Sequence, residues 1–426
     1  MNILSKILKE LLLVTLLFIL SINSIGQVSY NQNGAGITGN ANVGIGTQVL
    51  IFNTSGNFNA ATGFDALLYN TTGVYNVATG SFGLYANTTG AYNVASGSQA
   101  LYHNTDGSDN VASGYQALYH NTDGSDNVAS GYQALNYNTT GNYNVADGFQ
   151  ALYSNTTGFG NVASGYEALY YNTTGLGNVA SGYEALISNT TGRYNVASGS
   201  QALISNTVGF SNVATGFESL YDNTTGNNNV ASGTNALFSN TTGNSNTAFG
   251  YYAGRKSLGS GNIFLGNYAG YSETTDNKLY IGSDSNKTIL YGDVSTGQLL
   301  LGNPNPTGYV FKGSRTLNVL GGLISDSVRV ALSGSWADYV FNNDYQLKPL
   351  SELESFIKAN KHLPNIPSAK EVADNGIELG AMNAKLLEKI EELTLYILKQ
   401  QKENDALSEK VDRLEKVVNT LLPANK

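Results

Sequence analysis

The chain contains no cysteine, which excludes disulfide staples, thiolate metal sites and a lipid-modified cysteine anchor. It must be held by packing, by hydrogen-bond ladders or by association of copies. Proline is scarce, at 6 of 426 residues, and charged side chains make up only 12 %. Disordered chains are usually rich in both, and poor in the aromatics that this one has as 28 Tyr and 15 Phe. Basic residues are nearly missing from the most regular part: between residue 27 and Arg255 the one Lys or Arg is Arg193. Without a Lys/Arg stripe the surface cannot neutralise phosphates, which excludes nucleic acid as a partner. The formal charge is −9; taking away Lys6, Lys9 and Glu10 with the first 26 residues leaves 20 basic and 30 acidic side chains, or −10.

Long apolar runs are confined to the N-terminus. Lys6 and Lys9 precede Leu11-Leu12-Leu13-Val14-Thr15-Leu16-Leu17-Phe18-Ile19-Leu20, and small residues stand at Ser24 and Gly26. This is the layout of a signal peptide over residues 1–26, cleaved to leave Gln27 first; the run is short for a bilayer span. No later segment is apolar enough to cross a membrane, so export without a membrane span is expected.

What the chain has is repetition. An Asn returns every 17 residues through Asn42, Asn59, Asn76, Asn93, Asn110, Asn127, Asn144, Asn161, Asn178, Asn195, Asn212, Asn229 and Asn246. Most open a box such as Asn110-Val111-Ala112-Ser113-Gly114. A period without insertions places every unit at the same position in a stacked array. Between boxes lies Tyr115-Gln116-Ala117-Leu118-Tyr119-His120, then Asn121-Thr122-Asp123-Gly124. Asn and Gly accept positive φ and open tight turns, so the second block is expected to be a corner, and Gly114 another. Two Gly and several β-branched residues per unit argue against a helix. The expected fold is mainly β: a parallel β-roll, or solenoid, of 17-residue repeats, each unit holding two strands of four or five residues. Thirteen turns at about 4.8 Å make a rod of roughly 60 Å. Ala112, Gly114, Ala117 and Leu118 recur and mark the interior. So thin a roll buries little by itself, and association of chains is the remedy.

A lead of residues 27–41 precedes the array, which is assigned to residues 42–270. A β-rich transition over 271–335 follows, with short strands expected at Leu279–Gly282, Leu290–Gly292 and Leu299–Gly302. From Trp336 to residue 378 a small mixed α+β neck is expected. Its short helices fall at Leu350–Ile357 and Ala369–Val372, around the stiff Leu363-Pro364-Asn365-Ile366-Pro367 turn. Over residues 379–422 apolar residues keep a heptad, with Ile390, Ile397, Val411 and Val418 at one core position. Leu386, Leu393, Leu407, Leu414 and Leu421 hold the other. This predicts a parallel coiled coil, with one polar break at Gln400 and Asn404 that sets register. Lys410 can pair with Glu415 of a neighbouring helix, and the heptads leave dimer and trimer both open.

The Asn-Val-Ala-Ser-Gly boxes from Asn42 to Gly270 resemble the head repeats of trimeric autotransporter adhesins, the YadA-type β-roll, although the unit length differs. The run Trp336-Ala337-Asp338-Tyr339-Val340-Phe341, His362-Leu363-Pro364-Asn365-Ile366-Pro367-Ser368 and Gly380 to Tyr396 is similar to a tail module of exported Bacteroidetes fibre proteins. That module is related in layout to the intramolecular chaperone ends of phage tail fibres. The self-cleaving Ser-Asp-x-Arg-x-Lys string of those chaperones is absent, so self-processing is not implied. The resemblances imply a homotrimeric surface fibre with a trimerising tail.

Several residues invite a chemical role. Tyr102, Tyr119, Tyr153, Tyr170 and Tyr221 share one unit position and could stack on sugars; stacking on each other explains them better. The Asn-Thr-Thr-Gly corners hint at ordered water, as in ice binding, but turn chemistry accounts for them and strand Thr-x-Thr pairs are missing. Their Asn-x-Thr sequons carry little weight outside a eukaryotic secretory route. His103 and His120, one period apart near Asp106 and Asp123, lack the spacing of a metal site, as does His362. Glu167, Glu184 and Glu218 replace Gln116 and Gln133, yet acid–base chemistry needs a cleft. No Gly-Lys-Ser/Thr phosphate loop occurs. The reading is therefore no enzyme, with no catalytic, cofactor-binding or metal residues. It is a secreted or cell-surface trimeric fibre, an adhesin or structural protein, whose partners are its own copies and a surface receptor, glycan or matrix ligand. The alternatives are a tail-fibre-like receptor-binding component of a phage or injection system, and an ice- or glycan-binding solenoid.

Overall fold

A Val-Ala-Ser triplet between Asn and Gly is too short for anything but one rung of a sheet, and that is how it is used. In the computed structural model, which describes residues 28–30, 39–284, 288–302, 311, 316–330 and 336–421, a three-residue strand recurs once per repeat. The signal peptide assigned to residues 1–26 lies outside the described residues. The chain divides into two compact units, 1–322 and 323–426.

In the first unit β1 (Val28–Tyr30) pairs antiparallel with β2 (Val43–Ile45). From β2 the strands stack in parallel through β3 (Ala60–Thr62) and on to β14 (Thr247–Phe249) and β15 (Ile263–Leu265). Register is strict: Val111 stands on Val94 and under Val128, Ala112 on Ala95 and under Ala129. The step to β15 shortens to 16 residues, pairing Ala248 with Phe264. One more parallel pairing leads to β16 (Lys278–Gly282), and then the direction changes. β17 (Thr288–Asp293) and β18 (Gln298–Leu301) pair antiparallel, and β19 (Leu317–Val319) adds a parallel edge. The antiparallel strands at both ends occupy ladder positions that a further coil would otherwise take, the usual protection for a sheet edge. Lys278 of β16 and Asp293 of β17 join the two strands with an ion pair of 2.8 Å. With its Ser295 bond, it holds the Asp293 carboxyl down at about 2.

The solenoid of 17-residue repeats is as expected, but the coil is built differently. There is one strand per coil, not two, and it has three residues. The block Tyr115–His120 is a continuous turn in which Gln116 (φ 54°) and Leu118 (φ 52°) are left-handed. The reason lies in the core. Ala117 and Leu118 are consecutive and both fully buried, whereas a strand sends consecutive side chains to opposite faces. The left-handed residues curl the chain so that both point inward. Such conformations cost on the order of 1–3 kcal/mol each for non-glycine residues. Inter-coil hydrogen bonds offset them: Gln116 N–H donates to Ser98 O at 3.1 Å, and Leu118 N–H to Ala134 O at 3.0 Å. The interior is a column of Ala112, Ala117 and Leu118 equivalents, all fully buried. Gly114 is only half-buried, which corrects its assignment to the interior. It lies where coil backbones touch, φ 138°, and a Cβ there would meet Gly131 O at 2.3 Å.

The second unit holds a 3-10 turn (Ala337–Phe341) and three helices, α1 (Leu350–Asn360), α2 (Ala369–Asn375) and α3 (Leu379–Leu421). A turn at Pro364-Asn365, closed by Ile366 N–H to Leu363 O at 3.2 Å with Asn365 left-handed, separates α1 from α2. Ser368 and Glu371 form a capping box that starts α2. The 43 residues of α3 contain no Gly beyond its first turn and no Pro, so nothing in the sequence interrupts it.

Candidate functional site

Stacking identical coils turns each unit position into a column, and the columns differ sharply in exposure. Two of them are asparagine and lie inside. Asn110 and Asn121, with their equivalents, are fully buried. Asn121 Nδ2 donates to Asn104 Oδ1 at 2.7 Å and to Gly124 O at 2.8 Å. Asn110 Nδ2 donates to Gly124 O at 2.8 Å, while Asn110 Oδ1 accepts from Asn127 N at 3.0 Å. Corner chemistry therefore left a remainder. Asn121 and Gly124 do not use positive φ. Asn121 is a core residue whose amide satisfies buried carbonyls. Gly124 is needed for room, since a Cβ would lie 2.4 Å from Asn121 Oδ1. The columns were visible in the sequence as period-locked Asn; their burial was not, because Asn is seldom buried.

The tyrosine column singled out in the sequence is half-buried and stacked on itself. Tyr102 and Tyr119 rings are 5.1 Å apart, Tyr153 and Tyr170 4.9 Å, and Tyr221 stacks on Phe238 at 4.8 Å. Burial pushes the phenols of Tyr102 and Tyr170 up. Asn136, Ile187 and Ile204 interrupt the column. His103 and His120 do come together, their rings parallel at 5.4 Å, and Tyr137 continues the stack at 4.7 Å. Burial lowers both imidazoles, and His103 lowers His120 further. Asp106 takes a hydrogen bond from Thr89 Oγ1 at 2.5 Å. Asp123 engages Thr122. Among the described residues no group of three or more His, Cys, Asp or Glu could hold a metal. His362, in the second unit, packs edge-on against Phe356.

Gln116, Gln133 and Glu184 belong to an amide ladder. Gln133 Nε2 donates to Gln116 Oε1 and Gln116 Nε2 to Gln99 Oε1, each at 2.8 Å. Gln201 donates to Glu184 Oε2 at 2.8 Å, and Asn235 to Glu218 at 2.7 Å. Glu167 shares this position. The carboxylates are thus members of a row along the stack and gather in no cleft.

Sequence reasoning passed over a second aromatic column, whose rings are exposed. Tyr115, Tyr132, Phe149, Tyr166 and Tyr183 follow the glycine corner in five consecutive coils. Their rings stack at 5.4, 5.1, 5.1 and 5.3 Å. Each is between 40 and 49 % exposed. Their 17-residue spacing was the available signal. Beside them the strands turn valines outward, from Val94 through Val111 and Val128 to Val179.

In the second unit the residues that precede α3 pack on one side of it. Tyr339 Oη donates to Glu388 Oε2 at 2.5 Å, Asn365 Nδ2 to Glu388 Oε1 at 3.2 Å, and Tyr345 Oη to Glu392. Lys389 bridges Glu388 and Glu392 at 2.6 and 2.9 Å. The Glu388 bond lifts the Tyr339 phenol to about 12. With 3.6 residues per turn, Glu388, Glu391 and Glu392 lie on the side of the helix away from the heptad positions. Leu386, Ile390, Leu393 and Ile397 remain exposed, as do Leu407, Val411, Leu414, Val418 and Leu421. Beside this seam, Leu353, Leu363, Pro364, Leu386, Ile390 and Leu393 line an apolar groove of about 400 Å³.

These features define a parallel β-solenoid of 17-residue coils with a helical C-terminal unit. Compared with protein-family models, with characterised proteins and with solved structures, the chain finds no match.

Proposed function

We propose that this chain is a subunit of an exported, self-associating fibre, a trimer in our reading, that acts as an adhesin or structural protein at the cell surface. One observation carries the reading. The neck residues cover the back of α3 through Tyr339, Tyr345 and Asn365, while the heptad side chains on its front stay exposed over nine positions. An apolar seam of this length, interrupted at Gln400 and Asn404, is far larger than soluble monomers carry singly, and its period of 3.5 suits copies of the same helix in parallel. Gln400 and Asn404 set the register, and the adjoining groove widens the contact. Parallel association places several solenoids side by side, so every surface column is displayed in multiple copies and weak contacts add to avidity. Recognition by repeated display, not catalysis, is the proposed activity.

The test is sedimentation equilibrium of the full chain lacking residues 1–26, compared with Ile390→Asp/Leu393→Asp. The parent is expected at three times the monomer mass and the variant at the monomer mass, with circular dichroism of the solenoid unchanged. A monomeric parent would end the fibre reading.

A further inference from the structure

We propose that the exposed strip of coils 115–183 binds an extended β-1,4-linked glycan lying along the stack, with one pyranose per coil. The inference rests on the adhesive reading above and names its ligand class. The strip is one-dimensional and periodic: Tyr115, Tyr132, Phe149, Tyr166 and Tyr183 repeat at 5.1–5.4 Å. A ligand gains from every rung only if its own repeat matches. An extended β-1,4-linked chain advances by one pyranose ring and its bridging oxygen per sugar, a step close to the distance between successive rings. An extended peptide advances about 3.3 Å per residue, so three residues span about two coils and the rung between them is missed. A nucleic acid is repelled, because Glu167 and Glu184 flank the strip and no Lys or Arg occurs in these coils.

The chemistry of each rung suits a neutral polyol. Inside the column each ring face is covered by the next ring, so a ligand meets ring edges and phenol hydroxyls. Free faces for C–H stacking remain at the two ends, where the neighbouring coils carry Ser98 beyond Tyr115 and Ser200 beyond Tyr183. The half-buried row beside the rings supplies the polar partners. Gln116 and Gln133 each use Nε2 once within the ladder, leaving a second N–H on that nitrogen. Glu167 and Glu184 beside the Tyr166 and Tyr183 hydroxyls hold both phenols above their ordinary value. Those carboxylates retain lone pairs that accept from sugar hydroxyls.

A second copy of the solenoid has the same period, but the strip suits it poorly. A parallel two-fold pair meeting strip to strip would bring Glu167 against Glu167 and Glu184 against Glu184. The aromatic column also stops after five coils, whereas a copy interface would follow the whole stack.

The experiment titrates the full chain lacking residues 1–26 with chito- and cello-oligosaccharides of increasing length by calorimetry. Maltohexaose serves as the α-1,4-linked control. Affinity for at least one β-1,4 series is expected to rise with each added sugar up to about five and then level off, with maltohexaose at least about tenfold weaker. Tyr132→Ser/Tyr166→Ser is expected to lose at least about tenfold in affinity. Serine is native at this position in coils holding Ser81, Ser98 and Ser200, so the variant should keep the parent's circular dichroism and melting. The proposal is overturned if neither β-1,4 series binds, if maltohexaose binds as well, or if the variant binds undiminished. It is equally overturned if the variant changes the sedimenting mass, which would make the strip a contact between copies. Loss of glycan binding in a chain that still sediments as a trimer would leave the fibre reading standing.

Discussion

Asn121 Nδ2 donates to Asn104 Oδ1 at 2.7 Å across one coil, and both side chains are fully buried. The bond is one rung of a ladder that continues through Asn138 and Asn155. Beside the Ala and Leu columns of the interior, the Asn121 amide and that of Asn110 together give the backbone carbonyl of Gly124 its two donors. Specificity of register follows, because a coil slipped by one residue would bury an orphaned amide.

Asn121→Asp keeps the shape and removes the donor. It leaves Asn104 Oδ1 and Gly124 O facing a carboxylate, and a loss on the order of 3 kcal/mol or more is expected from such unsatisfied groups. Gln116→Ala, in the half-buried ladder, should cost no more than about 1 kcal/mol. Chemical denaturation of both variants measures the contrast, and equal losses would show that the buried ladder is not the stronger element.

Three glycines should respond in different degrees to alanine. At Gly114 a Cβ meets Gly131 O at 2.3 Å with φ at 138°, and at Gly124 it meets Asn121 Oδ1 at 2.4 Å. Losses above about 3 kcal/mol are expected at either, from strain added to overpacking at Gly114 and from overpacking against Asn121 at Gly124. Gly160 has φ 64° with nothing within 4 Å of its Cβ position, and Tyr143 adopts φ 57° one coil away. Gly160→Ala should cost about 1 kcal/mol. Melting temperatures of the three variants would reveal the order.

Removing residues 127–143 deletes one period and rejoins equivalent positions, so every ladder closes again. The expected result is a shorter solenoid with a melting temperature close to the parent's. Removing residues 127–134 instead brings Asn columns against Leu and Ala columns, and should abolish cooperative unfolding. If both deletions are tolerated alike in thermal denaturation, register is not what holds the stack.

Stability should fall on acidification because of the stacked imidazoles. Burial holds His103 below its ordinary 6.5, and burial together with His103 holds His120 below it. The folded chain therefore binds fewer protons than the unfolded one as pH drops below 6.5. The contribution is fully present above that value and is lost progressively as pH falls toward the folded values. His103→Ser/His120→Ser, with serine as at Ser154 and Ser188 in the same column, should flatten the change in melting temperature between pH 8 and pH 5. An unchanged slope would remove the imidazoles as its cause.

Much of the fold was legible because its period is written without an insertion. Seventeen-residue spacing alone implies coaxial stacking, and the recurrence of Ala112, Ala117 and Leu118 marks the residues that share the core. Short strands at Leu279–Gly282, Leu290–Gly292 and Leu299–Gly302, the last ending at Leu301 in the structure, and helices starting at Leu350 and Ala369, were likewise readable from local composition. The second strand of each coil was read wrongly because Tyr115–His120 has strand-like composition. Only the requirement to bury Ala117 and Leu118 together forces Gln116 and Leu118 into the left-handed region.

The sequence by itself determined the length of the coil, its stacking and the apolar seam of α3, since periodicity survives without knowledge of the third dimension. Tertiary structure decided which columns face in and which face out. The two Asn rows went to the interior because neighbouring coils supply their amides with partners, and the row headed by Tyr115 stayed outside because the glycine corner before it turns the chain away. Burial is a property of what a side chain meets across the stack, and a linear pattern does not carry that.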